Sequence, residues 1–169
     1  YAGFQVVSLI STSGFATADT NIWPSMAIVL LIFVSIVCGC AGSTTGGIKT
    51  DRFLLAIKTL RLRFSLQQHP NAVVRVRIDG NVLDDRIANT AVVFIVAYFI
   101  ALLAGTIVGT MCGMDIETSF SSSVACMGNV GPGFGMVNSL GNYAALPAVM
   151  KFSDTMLMLL GRLEIFGLV

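Results

Sequence analysis

Apolar and polar positions alternate along this chain in blocks much longer than the repeat of a strand or an amphipathic helix. Apolar residues fill 1–11 and stop at Ser11-Thr12-Ser13-Gly14-Phe15, then resume without a charge over 22–40. A polar, basic interval covers 49–86 and is followed by a second uncharged run over 89–114. A short segment over 117–127 stops at Asn129-Val130-Gly131-Pro132-Gly133, and a last apolar run opens near Lys151 and is still running at Val169. Crossing a bilayer takes roughly 20 helical residues. The runs over 22–40 and 89–114 meet that length and 151–169 approaches it, so three crossings are predicted. The segments over 1–11 and 117–127 can enter a membrane but not cross it. A short helix, a glycine-centred turn and then a crossing helix describe a re-entrant pore loop, here present twice. Non-helical backbone at that depth persists only where it is buried in protein or lines a water-filled path. Glycine lets successive carbonyls point one way because positive φ costs it nothing, and such carbonyls can replace a cation's hydration shell. The pattern therefore predicts a path for a monovalent cation.

Composition places the chain in lipid. It is 55% hydrophobic and 11% charged, against roughly 25% charged residues in a soluble domain. Net charge is only +1, yet eight of the ten basic residues, Lys49, Arg52, Lys58, Arg61, Arg63, Arg75, Arg77 and Arg86, fall in one interval. The positive-inside rule turns that interval to the cytoplasm. Asp51, Asp79, Asp84 and Asp85 temper its charge, which argues against nucleic-acid binding. Cys38, Cys40, Cys112 and Cys126 lie in or beside apolar runs with no CxxC pair or nearby His, so they read as small core residues and not as a disulfide or metal framework. Counting crossings puts both glycine turns on one side, opposite the basic interval.

Aligning Gly14 with Gly131 pairs Ser11-Thr12-Ser13-Gly14-Phe15 with Gly128-Asn129-Val130-Gly131-Pro132, each followed by a crossing helix. The second unit has an outer helix before its loop and the first does not. A transporter built from repeats should have the same elements in each, so the chain reads as a fragment cut at both ends inside membrane segments. The sequence shows no secretory signal peptide, which fits an internal fragment and says nothing about the parent.

Two further features carry chemistry. Ala41-Gly42-Ser43-Thr44-Thr45-Gly46-Gly47 interrupts what is otherwise a long helix from about 24 to 64; Gly beside Ser/Thr is a recognised break, and broken membrane helices tend to line the transport path. A nucleotide-binding P-loop is the rival, but Ile48 separates Gly47 from Lys49, and the stretch follows a membrane span instead of a strand. A hinge without a gating role is the plainer alternative. Arg162, about ten residues into the last run, is costly at that depth and by default functional. Glu164, two positions on, falls on another helix face, although a snorkelling or Glu-paired structural Arg stays open.

Smaller features read as follows. Asp19, Asp115 and Glu117 lie near the outer mouth, where they concentrate cations or cap helices. His69 has no acid or serine partner, which argues against an intramembrane serine hydrolase using Ser11, Ser13 or Ser43. Ser121-Ser122-Ser123 should pack or bond locally. Alternation over 73–78 suggests a short hairpin around Asp79-Gly80-Asn81.

Ser-Thr-Ser-Gly-Phe-Ala-Thr at 11–17, Cys-Ala-Gly-Ser-Thr-Thr-Gly-Gly-Ile-Lys at 40–49, Gly-Asn-Val-Gly-Pro-Gly-Phe-Gly at 128–135 and Gly-Arg-Leu-Glu-Ile-Phe at 161–166 resemble the Trk/Ktr/HKT potassium-transporter superfamily. The resemblance covers essentially the whole chain and is greatest to the bacterial TrkH-like membrane subunit. It implies an all-α integral membrane fold with four helix–pore-loop–helix units around one pore, of which this chain resembles the third without its first helix and most of the fourth. The implied organisation is a third repeat at 1–64, a cytoplasmic linker at 65–87 and a fourth repeat at 88–169. The resemblance supplies potassium as the ion, with carbonyls around Thr12, Ser13, Gly14 and Phe15 and those of Asn129, Val130, Gly131 and Pro132 forming half of a filter ring. It makes Gly42, Ser43, Thr44, Thr45, Gly46 and Gly47 an intramembrane gating loop below the filter. From this we expect Arg162 to hold that loop through its carbonyls and to repel cations when closed. It further implies a multi-pass protein of the bacterial inner membrane, a homodimer of the full-length subunit, a cytosolic nucleotide-binding regulatory partner and no cofactor.

Two function classes follow. One is a potassium-translocating subunit, and the other a non-conducting membrane scaffold or regulatory subunit of the same fold. Ion flux separates them.

Overall fold

The computed structural model describes residues 1–68, 77–78, 81–82 and 85–163. Helix α1 spans Ala2–Ile10 and turns Gln5, Ser8 and Leu9 inward. After a 3-10 turn at Thr20–Ile22, Pro24 leads into α2, Ser25–Val37. Helix α3 is Thr50–Gln68, α4 is Asp85–Met111, α5 is Ile116–Met127 and α6 is Ala148–Arg162. The expectation of an all-α fold is modified by two short strands, β1 (Arg77–Ile78) and β2 (Asn81–Val82), paired antiparallel with Arg77 opposite Val82. They flank Asp79-Gly80, a sequence suited to a two-residue hairpin turn; those two residues, like His69, lie outside the described ones.

The run over 22–40 does not form the single crossing-length helix predicted. Helix α2 has 13 residues, about 20 Å of helix against a hydrocarbon core of about 30 Å. It stops because Cys38 takes φ 56° and the chain folds back. The amides of Ile48 and Lys49 then donate to the carbonyls of Ile36 and Val37, each at 3.0 Å, which satisfies groups a helix end leaves open. The last helix also begins earlier than predicted, at Ala148, so Arg162 is its final residue. Among the described residues one helix, Arg86–Met111, is long and apolar enough to cross a membrane.

Helix α4 is the scaffold. It buries Phe94, Tyr98 and Leu102 and leaves Val93, Val96, Ile100, Leu103 and Ile107 exposed on its other side, the distribution of a helix with one face to protein and one to lipid. Its inner face meets α5, α6 and α3. Gly105 and Gly109, four apart, admit that contact: a Cβ at Gly109 would come within 2.7 Å of Ser119 on α5, and one at Gly105 within 2.8 Å of the Ser123 hydroxyl. Small residues at this spacing let membrane helices approach closely. The central cluster joins Phe94, Tyr98 and Leu102 to Val124, Cys126 and Met127 of α5, Leu157 of α6 and Ile48. A second cluster joins Leu9, Leu31 and Cys38 to Val130 and Phe134, and so ties the two ends of the chain together.

Candidate ion-permeation site

Helices α1 and α5 both stop at a glycine turn, and they stop in the same way. Ser11 and Gly128 cap them in the right-handed region, and Thr12 and Asn129 follow, each at φ 53°. Ser11, Thr12 and Ser13 amides donate to the carbonyls of Val7, Leu9 and Ser8 at 3.0, 3.2 and 3.0 Å. Gly128, Asn129 and Val130 donate to Val124, Cys126 and Ala125 at 2.8, 3.1 and 2.9 Å. With Gly14 set against Gly131 the donors and acceptors correspond one for one. Gly14 and Gly131 then take φ +71° and +104°, a conformation that L side chains adopt only with strain. Side chains brace both turns from behind. Ser8 Oγ donates to the Phe15 carbonyl at 2.6 Å, while Ser121 Oγ donates to the Phe134 carbonyl at 2.9 Å and accepts from its amide at 2.8 Å.

The structure brings these turns together. A Cβ at Gly14 would collide with the Val130 carbonyl oxygen and lie 3.1 Å from Pro132. Thr20 and Asn21, beyond the first turn, reach Ser139 and Gly135 beyond the second; Asn21 Nδ2 donates to the Gly135 carbonyl at 3.1 Å. The C-terminal ends of α1 and α5 point into the turns, and neither carries a basic residue in its last turn. A helix C-terminus acts as a partial negative charge, so both ends favour a cation there.

The interruption at 38–49 lies directly against the second turn. A Cβ at Gly46 would strike the Gly128 carbonyl and approach Asn129 Nδ2 to 3.2 Å. The loop holds its own shape: Ser43 Oγ bonds Thr45 Oγ1 at 2.6 Å and donates to the Cys40 carbonyl at 2.6 Å. Asp51 Oδ2 accepts from the Ala41 amide at 2.6 Å. Lys49 is buried and donates to the Ser43 carbonyl at 3.3 Å, so it belongs to the loop and not to the cytoplasmic basic face where charge counting put it. Gly42 and Gly47 take φ +81° and +74°.

Helix α6 closes the arrangement. Arg162 Nη1 donates to the Thr44 carbonyl, inside the loop. Glu164 lies outside the described residues. Gly161 sits where a Cβ would collide with the Met127 carbonyl, and Asn129 Nδ2 donates to the Met158 carbonyl at 3.2 Å. The second glycine turn, the loop and α6 therefore meet around Gly128 and Asn129.

Several placements differ from the sequence reading. Of the three consecutive serines on α5, only Ser123 bonds locally, to the Ser119 carbonyl; Ser121 and Ser122 reach other segments. Asp19 caps, accepting from the Asn21 amide at 2.9 Å, whereas Asp115 occupies the N-cap of α5 without a side-chain bond. Motif spacing does not single out Tyr143, whose phenol donates to the Gly131 carbonyl at 2.7 Å. A carbonyl oxygen has a second lone pair, so this bond leaves it one for another donor or a cation. Nor does spacing mark Asp154, buried on α6 against Ser122. An acid inside an apolar run was the available signal for it.

Known proteins resemble this chain over its whole length. The model of the family TrkH, described as cation transport protein, matches residues 1–169. The chain is 38% identical over 167 residues to the Trk system potassium uptake protein TrkH of Salmonella typhimurium, covering 99% of the chain and 34% of that protein. It is 37% identical over 164 residues to the Trk system potassium uptake protein TrkI of Halomonas elongata, covering 96% of the chain and 33% of that protein. It superimposes on the crystal structure of the potassium transporter TrkH from Vibrio parahaemolyticus with a TM-score of 0.88 and 35% identity, over 98% of this chain and 35% of that one. The chain thus spans about a third of the length of the relatives it matches. With paired glycine turns, an interrupted helix beneath them and a family match over every residue, the chain belongs to the TrkH family of cation transport proteins.

Proposed function

We propose that this chain is the filter-and-gate portion of a subunit that takes up potassium across the bacterial inner membrane. In this reading 1–64 is a third pore-loop repeat lacking its first helix, 65–87 a cytoplasmic linker and 88–169 a fourth repeat. The full subunit completes the ring around a central pore. Backbone carbonyls at Thr12, Ser13, Gly14, Phe15, Asn129, Val130, Gly131 and Pro132 replace water around the ion. The rest of the basic interval, 50–86, faces the cytoplasm, with Lys49 drawn into the loop, and the filter turns face outside.

The observation that carries this reading is the one-for-one correspondence of the two turns, which meet at Gly14 and Val130. The αL cap with which each turn begins is a common helix ending; what sets this pair apart is the second positive-φ residue two positions on, Gly14 and Gly131, and the contact between the turns. Relatives named potassium uptake proteins supply the ion. Gly42, Ser43, Thr44, Thr45, Gly46 and Gly47 form the gate, and Arg162 is its latch: a guanidinium on a loop carbonyl holds the loop under the filter and adds positive charge to the path. The subunit works as a homodimer, and a cytosolic nucleotide-binding partner acts on the basic face to release the loop.

The test is rubidium uptake into proteoliposomes holding the full-length subunit, wild type beside Gly14→Asp. Uptake by the wild type and its loss in folded mutant protein supports the filter. Absence of flux in both, with regulator and nucleotide present, favours a non-conducting scaffold of the same fold.

A further inference from the structure

The two glycine turns share their backbone bonds and differ in one brace. Ser13 and Val130 hold corresponding places, with amides that donate to the Ser8 and Ala125 carbonyls, so Ser8 corresponds to Ala125. The Ser8 hydroxyl donates to the Phe15 carbonyl at 2.6 Å; the methyl group of Ala125 has nothing to donate. Among the described residues no side chain takes over that bond at Pro132, the counterpart of Phe15. The bonds from Ser121 reach Phe134, two residues further on.

The second turn is held from its other side. More chain separates Gly131 from α6, which begins at Ala148, than separates Gly14 from α2, which begins at Ser25. The longer connection carries Tyr143, whose phenol donates to the Gly131 carbonyl at 2.7 Å. Tyr143 is itself fixed. Its ring packs against the central cluster and against a smaller one of Val137, Leu146 and Met150. Its carbonyl accepts from the Leu146 amide at 3.3 Å, and Lys151 Nζ, on α6, donates to the carbonyl of the next residue, Ala144, at 2.8 Å. Gly131 lacks other support, since no atom lies within 4 Å of where its Cβ would stand, whereas Gly14 lies against the Val130 carbonyl and Pro132.

We propose that Tyr143 is a positioning residue for the second filter turn, its phenol fixing the Gly131 carbonyl as the Ser8 hydroxyl fixes that of Phe15 in the first. Tyr143 touches no ion. The phenol occupies one lone pair and leaves the other for a cation. A carbonyl pinned in this way keeps its distance and suits a larger ion; once released, it leans inward and closes around sodium, the smaller one. The inference rests on the reading of 129–132 as part of a filter, and it concerns which ion passes, not whether one does.

The experiment measures rubidium and sodium flux side by side in proteoliposomes of the full-length subunit, for wild type, Tyr143→Phe and Tyr143→Leu. Tyr143→Phe keeps the ring and removes only the donor, and it should lower the rubidium-to-sodium flux ratio about fivefold, the factor of one net hydrogen bond. Tyr143→Leu should lower the ratio as much and also reduce the amount of folded protein, because it loses the ring. If the role is packing alone, Tyr143→Phe behaves as wild type. An unchanged ratio in Tyr143→Phe, or an equal fall in both fluxes, overturns the inference while a conducting wild type leaves the filter reading standing. Should Tyr143→Phe fail to fold, Lys151→Met frees the segment that carries Tyr143 and is read in the same way, since the charge of an exposed lysine acts alike on two monovalent ions. A wild type that carries no rubidium overturns the filter reading and this inference with it.

Discussion

Arg162, the last residue of α6, donates from Nη1 to the carbonyl of Thr44, 118 positions earlier in the chain. This bond joins the end of one helix to the middle of the interruption in another. A guanidinium presents five donors in a planar fork, one of which holds this carbonyl.

Removing that guanidinium should free the loop. A hydrogen bond to a charged group contributes about 1.5–3 kcal/mol, and Arg162 is exposed in this chain, which favours the lower end. Arg162→Ala should raise rubidium leak about tenfold in the absence of any regulator, and Arg162→Lys should lie between, since an ammonium lacks the planar fork. If only the amount of folded protein falls, the arginine is structural.

Asp51 should act in the same direction from the other side of the loop. Its carboxylate holds the Ala41 amide at 2.6 Å, so Asp51→Ala removes a charge-assisted bond and should also raise leak while leaving the rubidium-to-sodium ratio unchanged. The double variant Asp51→Ala, Arg162→Ala should leak less than the two effects multiplied, because residues that act on one element couple. Independent effects would argue that the loop does not move as a unit.

Gly14 and Gly131, the glycines of the proposed filter, should respond differently to a methyl group. At Gly14 both the backbone and the space forbid it, since φ is +71° and a Cβ would collide with the Val130 carbonyl. At Gly131 nothing lies within 4 Å, and only the positive φ costs, about 1–2 kcal/mol. Gly14→Ala should abolish rubidium uptake and Gly131→Ala reduce it; Gly131→Val, which adds bulk beside the path, should abolish it too. Full transport by Gly131→Val would remove that turn from the filter.

Gly161 should matter for stability more than for conduction. A Cβ there would collide with the Met127 carbonyl, and overpacking of this kind costs about 1–3 kcal/mol. Gly161→Ala should lower the thermal midpoint in detergent by several degrees. Gly42→Ala meets no atom within 4 Å and should cost only the strain of its positive φ, about 1–2 kcal/mol. An unchanged midpoint in Gly161→Ala would mean that α6 is free to shift away from α5.

The sequence by itself determined the order of short and long apolar segments, the two glycine turns and the break between α2 and α3. These are local properties, since run length, the absence of charge and glycine's freedom at positive φ act within a few residues. Tertiary structure decided what those segments touch. Helix α2 is shorter than its apolar run because Cys38 turns and the amides of Ile48 and Lys49 return to its last carbonyls, a closure between positions that no periodicity links. Lys49 counted as part of the cytoplasmic charge until the loop buried it. Three consecutive serines looked alike, yet Ser121 braces Phe134, Ser122 meets Asp154 and Ser123 bonds its own helix, because successive positions on a helix face in different directions. The contacts of Gly14 with Val130, Gly46 with Gly128 and Arg162 with Thr44 exist only once the helices have packed, and carbonyls held by such long-range contacts carry no mark in the chain that folds to place them.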